Sequence, residues 1–264
     1  MCGIAGFVDT RHELSAADLS EIVARMSGTI RHRGPDDEGT WVDPECGVAL
    51  GHRRLSIVDL SAAGHQPMAS ADGRFVLTYN GEMYDHPRVR ALLSAEGAQF
   101  RGHSDTEVLV EAMARWGVRR ALEECNGMFA LAVWDRRERT LVLARDRMGE
   151  KPLFYGWAGD SLLFGSELKA LRAHPRFKGT VDPNAVATFL RLNCVPAPHT
   201  IYEGIAKVRP GQLVAIDPAQ RSVKPSAYWS VAGAARAGAA DPITDATAAL
   251  DELGALLSDA VAIR

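Results

Sequence analysis

The chain opens MCGIAGFVD, placing a thiol directly after the initiator methionine. A thiol is the strongest nucleophile among ordinary side chains once something takes its proton. Removal of Met1 would put a free α-amine on the same residue. With a reference pKa of about 8, that amine is partly neutral near pH 7 and can act as the base, directly or through one water. An isolated cysteine followed by Gly3, Ile4, Phe7 and Val8 reads equally well as a small hydrophobe opening a buried strand. The other cysteines, Cys46, Cys125 and Cys194, are scattered and form no C-x-x-C pair, so neither a zinc knuckle nor a disulfide framework is expected.

Three further groups carry chemical potential. Asn80-Gly81 closes the apolar run RFVLTYNG, where the dipeptide is also a hairpin-turn signal. Arg53 and Arg54 precede LSIVD, and either could make a surface ion pair. Asp105 falls at the start of a predicted helix, where the helix dipole favours a carboxylate.

The elements that must position these groups follow from periodicity. SAADLSEIVARMSGTI reads as an amphipathic helix capped by Ser15, with Leu19, Ile22, Val23, Met26 and Ile30 on one side. RHRGPDDEG is a loop, and GVALGH, LSIVDL and RFVLTYNG are strand-like. HPRVRALLSAEG and SDTEVLVEAMARWG read as helices, the second with Ser104 and Glu107 at capping-box spacing. MFALAVWD with LVLARD, and then PLFYGWAGDSLLFGSE turning at Gly159 and Asp160, signal two hairpins. Helical segments near ELKALRAH and DPNAVATFLRL precede a Pro-rich passage. Hairpins and grouped helices predict an α+β layered architecture rather than a repeating βαβ wheel. VAGAARAGAADP reads as a flexible linker. The last segment reads as a helix with Leu250, Leu253, Leu257 and Val261 along one face.

Composition narrows the function classes. Lys and Arg number 30 against 33 acids, net charge −3, with no basic run longer than a pair, so a nucleic-acid partner is not expected. No apolar stretch approaches the roughly 18 residues of a membrane helix, and no secretory leader is read at the start, so a soluble, cytoplasmic protein is expected.

The motifs MCGIAGF, RHRGPD, GHRRLSIVD, YNGEMYD, GHSDTEV, GMFALAVWD, RDRMGEKPLFY and SELKAL, in this order, resemble the glutaminase domain of class II glutamine amidotransferases, specifically that of B-type glutamine-hydrolysing asparagine synthetase. The resemblance implies an N-terminal nucleophile hydrolase, two antiparallel sheets between helical layers in a four-layer αββα sandwich. It implies L-glutamine as substrate, attack by Cys2, departure of ammonia and hydrolysis of a γ-glutamyl thioester. Asn80 and the Gly81 backbone N–H would form the oxyanion hole. Arg54 would grip the substrate carboxylate and Asp105 the ammonium, with Val58 and Glu82 also in the substrate site. Arg53 serves as a structural contrast to Arg54. Arg31, His32 and Gly34 would border the pocket, while RDRMGEKPLFY and SELKAL would be scaffold.

The resemblance also implies a division of the chain: residues 2–230 as the glutaminase domain, 231–242 as linker, and 243–264 as the leading helix of a synthetase domain otherwise absent. That second domain would bind ATP and Mg²⁺ and receive the ammonia, in cis or in trans. Its Ser-Gly-Gly-x-Asp-Ser loop occurs nowhere in these residues. No cofactor is expected for the glutaminase half, and no asparagine synthesis from this chain alone; the alternative readings are a non-catalytic glutamine-binding or regulatory remnant, or an ammonia-supplying subunit for a different acceptor.

Overall fold

The first strand, β1 (Gly3–Asp9), is buried along its whole length, so its sequence lacks the alternation of a half-exposed strand. Its alternate side chains enter two different cores: Ile4 and Val8 go one way, Ala5 and Phe7 the other. The computed structural model describes residues 2–57 and 61–264.

Along the chain follow α1 (Ala16–Gly28), β2 (Asp37–Asp43), β3 (Val48–Arg54), β4 (Met68–Ala69), β5 (Phe75–Met83), α2 (His86–Ala95), α3 (Asp105–Trp116), α4 (Val118–Glu124), β6 (Gly127–Asp135) and β7 (Thr140–Arg145). Then come β8 (Phe154–Ala158), β9 (Ser161–Gly165), α5 (Leu168–Arg172), α6 (Pro183–Leu192), β10 (Ile205–Lys207), β11 (Gln212–Asp217), β12 (Ser222–Ala227), α7 (Val231–Ala240) and α8 (Ala246–Ala262). The strands form two antiparallel sheets, in the orders β10-β8-β9-β1-β3-β2 and β12-β11-β7-β6-β5-β4.

Three apolar layers glue four structural ones. Ile4, Leu50, Val76, Trp134 and Phe164 meet between the sheets. Phe7 packs with Leu19, Val23 and Met26 of α1 and Leu171 of α5 on the outer face of the first sheet. Leu77, Tyr79 and Leu131 pack under α2, α3 and α4 on the outer face of the second. This is the expected αββα sandwich.

Two buried hydrogen bonds hold the sheets in register near the candidate site. Thr78 Oγ1 donates to the Gly51 carbonyl at 3.2 Å, and His52 Nε2 meets the Tyr79 carbonyl at 3.0 Å. A carbonyl only accepts, so Nε2 carries the proton. Thr78 thereby faces the first sheet, and the two-residue period of a strand sends Asn80 the same way.

Several expectations need correction. β5 continues through Asn80 and Gly81, which pair with Ala130 and Phe129 of β6, so the dipeptide is not a hairpin turn. In LSIVDL the described residues, 55–57, form no strand. The Ala/Gly-rich segment expected as linker is helical over Val231–Ala240, with the Ser230 hydroxyl accepting from the Gly233 N–H, because alanine is the strongest helix former. The Ser104–Glu107 spacing makes half a capping box: Ser104 caps the helix, but the Glu107 carboxylate takes the Arg101 and Gly102 N–H groups instead. The strands β2, β10, β11 and β12 and the short helix α4 were not expected from the pattern.

Candidate functional site

Cys2 precedes β1, whose pairing sets Gly3 opposite Arg53 on β3. That register brings the start of the chain to the end of β3. The Leu55 N–H points at Cys2 Sγ from 3.4 Å, and the thiol lies 3.7 Å from the Leu55 carbonyl. Burial pushes the Cys2 thiol above its ordinary value, the Leu55 backbone contact opposing this; Asp105 adds to the rise and Arg54 counters it. A thiol held neutral in this way needs a base before it attacks.

Around Cys2 a single pocket gathers Arg54, Asn80, Gly81, Glu82 and Asp105. Asn80 comes from β5 and is 1% exposed, yet its Nδ2 amide has no hydrogen-bond partner. A buried donor without a partner costs free energy unless something occupies it, so this amide is poised for an acceptor. Beside it, Gly81 must be glycine: a Cβ would lie 2.5 Å from the Met128 carbonyl oxygen.

Arg54 and Arg53 point to opposite faces of β3. Arg53 lies in an ion pair with Glu38 and donates from Nε to the Ser27 carbonyl at 3.3 Å. Arg54 is 8% exposed, donates from Nη1 to the Ser61 carbonyl at 2.9 Å, and lines the pocket. Its guanidinium packs directly over Gly64, where a Cβ would collide with it.

Asp105 is the first residue of α3 and is buried there. Its Oδ2 accepts the Met83 N–H at 2.9 Å and the Tyr79 hydroxyl at 3.2 Å. Burial raises its carboxyl above the usual range, and these two donors oppose the rise. Oδ1 has a 3.4 Å contact with the Thr106 hydroxyl, and Asp105 lines the pocket. Gln66 braces the wall: its Oε1 accepts the Tyr79 N–H at 2.7 Å and its Nε2 donates to Thr106 Oγ1 at 3.2 Å.

Arg31, His32 and Gly34 are not among the residues that line this pocket. The exposed His32 ring meets Glu167 at 2.9 Å. Gly34 packs on the Arg53–Arg54 backbone, too close for any Cβ. The residue of this loop that reaches Cys2 is Arg33, whose Nε donates to the Cys2 carbonyl at 3.0 Å and whose Nη1 donates to Glu167 at 3.0 Å. A 3₁₀ turn over Arg31–Arg33 turns alternate side chains in different directions, which the sequence spacing did not reveal. Val58 lies outside the described residues.

Sequence reasoning also missed Lys151. Buried Asp146 accepts the N–H groups of Phe129, Met148, Glu150 and Lys151, folding RDRMGEKPLFY so that Lys151 lines the pocket. Burial lowers the Lys151 ammonium's pKa, and the charge of Glu150 opposes this. The segment, expected as scaffold, contributes to the pocket wall through Lys151.

The arrangement brings a half-buried thiol, an unpartnered amide donor, an arginine and a carboxyl group into one cleft. Comparison with known proteins agrees. A model of the glutamine amidotransferase domain matches residues 1–229. Glutamine-hydrolyzing asparagine synthetase 3 of Bacillus subtilis is 39% identical over 234 residues, covering 88% of this chain and 37% of that protein. A putative glutamine-hydrolyzing asparagine synthetase 2 of Methanocaldococcus jannaschii is 32% identical, covering 100% of this chain and 52% of its own length. The chain thus spans roughly a third to a half of these relatives. Among solved structures, the glutamine phosphoribosylpyrophosphate amidotransferase of B. subtilis shares the fold, with a TM-score of 0.62 at 20% identity over 86% of this chain and 49% of that one. The chain belongs to the glutamine amidotransferase family, as a domain homologous to the glutaminase domains of asparagine synthetases.

Proposed function

We propose that the chain hydrolyses L-glutamine to glutamate and ammonia at Cys2, as the ammonia-supplying half of a glutamine-hydrolysing asparagine synthetase. The observation that carries this reading is the unpartnered Asn80 amide in the pocket of Cys2, Arg54 and Asp105.

Glutamine enters with its carboxylate on Arg54, whose planar fork suits a carboxylate. Its ammonium sits on Asp105, with Glu82 alongside. After Met1 is removed, the Cys2 α-amine takes the thiol proton and Sγ attacks the amide carbon. The oxyanion is met by Asn80 Nδ2 and the Gly81 N–H. The C–N bond breaks, the nitrogen leaves with that proton as ammonia, and a γ-glutamyl thioester remains. Water then attacks the thioester, releasing glutamate and returning the thiol.

This half-reaction uses no cofactor. The Ser-Gly-Gly-x-Asp-Ser run is missing from the sequence, so ATP and Mg²⁺ chemistry are assigned to a synthetase domain or subunit and not to these residues. The exposed leucines of α8, Leu250, Leu253 and Leu257, suit contact with that partner. The proposed domain comprises residues 2–230. No helix among the described residues is long and apolar enough to cross a membrane. Its cysteines are unbridged, in keeping with a proposed cytoplasmic setting.

The test combines intact mass with glutamate and ammonia release in one sample of the purified chain. Loss of Met1, turnover of glutamine and its abolition in Cys2→Ala are expected. Undiminished turnover in Cys2→Ala would overturn the reading.

A further inference from the structure

The end of the sandwich opposite Cys2 contains a second cleft. β1 carries the chain about 23 Å from the Cys2 pocket at roughly 3.3 Å per residue. Beyond its end, Thr10 and His12 border a slot of about 240 Å³ between the two sheets. The floor of the slot is Trp134 of β6, and the turns β2–β3, β6–β7 and β11–β12 supply Cys46, Arg139 and Pro218. Through Glu45, Cys46 and Arg139 it opens into a wider groove of about 710 Å³ lined also by Arg74, Arg136 and Arg137.

Two observations point to a ligand. Trp134 is 1% exposed and its indole N–H has no partner, although a buried indole N–H normally finds one. Arg139, held in the left-handed region at φ 51° by its turn, has a guanidinium without a hydrogen bond or ion pair among the described residues. Its neighbours are committed: Arg74 clasps Asp135 at 2.6 Å, Arg136 donates to the Gly73 carbonyl at 3.2 Å, and Arg221 pairs with Asp160 at 2.8 Å. The lining of the slot therefore combines a tryptophan whose buried indole N–H lacks a partner, an exposed unpaired guanidinium, and apolar Pro218 and Ala219. Glu45 at the rim disfavours multiply charged anions.

We propose that this slot binds a small monocarboxylate with a flat apolar body. The carboxylate accepts from Trp134 Nε1 and Arg139, and the apolar body lies along Trp134, Pro218 and Ala219. The site is independent of the Cys2 chemistry, since none of these residues lines the catalytic pocket.

Sodium benzoate is a suitable probe, and benzyl alcohol is its uncharged counterpart. The chain has five tryptophans, and the indole ¹H–¹⁵N resonance of Trp134 is the one lost in Trp134→Phe. Titration of the full chain with benzoate is expected to move that resonance to saturation while benzyl alcohol leaves it in place. Arg139→Asn, which tolerates the left-handed turn, is expected to weaken benzoate binding about tenfold, the value of one hydrogen bond to a charged group. An unmoved Trp134 resonance, an equal response to benzyl alcohol, or unchanged affinity in Arg139→Asn would each overturn the proposal. If Trp134→Phe fails to fold, Trp134→Tyr serves for assignment and Arg139→Asn still decides.

Discussion

The Tyr79 hydroxyl donates to Asp105 Oδ2 at 3.2 Å, from inside the apolar layer between the second sheet and α3. A carboxylate this deeply buried is costly, and Tyr79 and the Met83 N–H offset only part of that cost. The folded protein therefore holds the Asp105 proton to higher pH than the unfolded chain does. Ionisation of Asp105 accordingly weighs against stability once pH rises through its raised pKa, and a bound ammonium relieves the burden. Asp105→Asn should raise KM for glutamine about 100-fold by removing a buried ion pair, while raising the unfolding temperature of the ligand-free protein at pH 8. Tyr79→Phe should move the acid limb of kcat/KM upward. Steady-state pH profiles with thermal unfolding check both; an Asp105→Asn protein of unchanged KM would contradict the assignment.

Asn80 presents an amide N–H group that makes no hydrogen bond in the ligand-free fold. Because its Nδ2 is unpartnered, Asn80→Ala should leave thermal stability nearly intact. It should lower kcat about 10² to 10³-fold with little change in KM, as loss of one oxyanion donor does. Equal losses in kcat and stability would mark a structural role instead.

Arg54 and Arg53 allow a matched test one residue apart. Gly64→Ala forces the Arg54 guanidinium to move, since a Cβ there collides with it, and should raise KM about tenfold or more. Arg53→Ala breaks only the Glu38 ion pair and the contact to Ser27, and most activity should survive. Comparable KM values in the two variants would unseat Arg54 as the carboxylate partner.

His52 links stability to pH through the bond that aligns the sheets. Burial lowers its pKa to about 4, so between pH 6.5 and 4 the unfolded chain binds a proton that the folded one does not. Stability from this group is complete above pH 6.5 and falls as pH drops through the window, by about 3 kcal/mol at the lower end. Urea unfolding at pH 7 and 4.5 should show the fall, and His52→Gln should flatten it. A pH slope unaltered in the variant would show that other groups, such as His174, carry the effect.

Much of the site was legible in the sequence because its ordered motifs resemble a known family, and its residues also sit at element boundaries with recognisable punctuation. Cys2 precedes a strand, Asp105 follows the Ser104 cap, and Arg54 ends β3. What eluded the pattern was direction. Within RHRGPD, three basic side chains compete, and only the 3₁₀ turn selects Arg33 to reach the Cys2 carbonyl. Lys151 is equally hidden, since its place depends on Asp146 gathering three N–H groups of its own loop and that of Phe129 on β6.

The sequence by itself determined the α+β class and the thiol candidate, because periodicity and local capping act over a few residues, and its ordered motifs supplied the layer count and the pocket residues only through resemblance to a family. Tertiary structure decided which polar groups meet. Cys2 leads into β1 of the first sheet and Asn80 lies on β5 of the second, and the register between those sheets is set by Thr78 on Gly51 and His52 on Tyr79. The unpartnered state of the Asn80 and Trp134 donors is likewise a property of the packed core. Local sequence specifies that a donor exists; only the completed packing determines whether anything accepts from it.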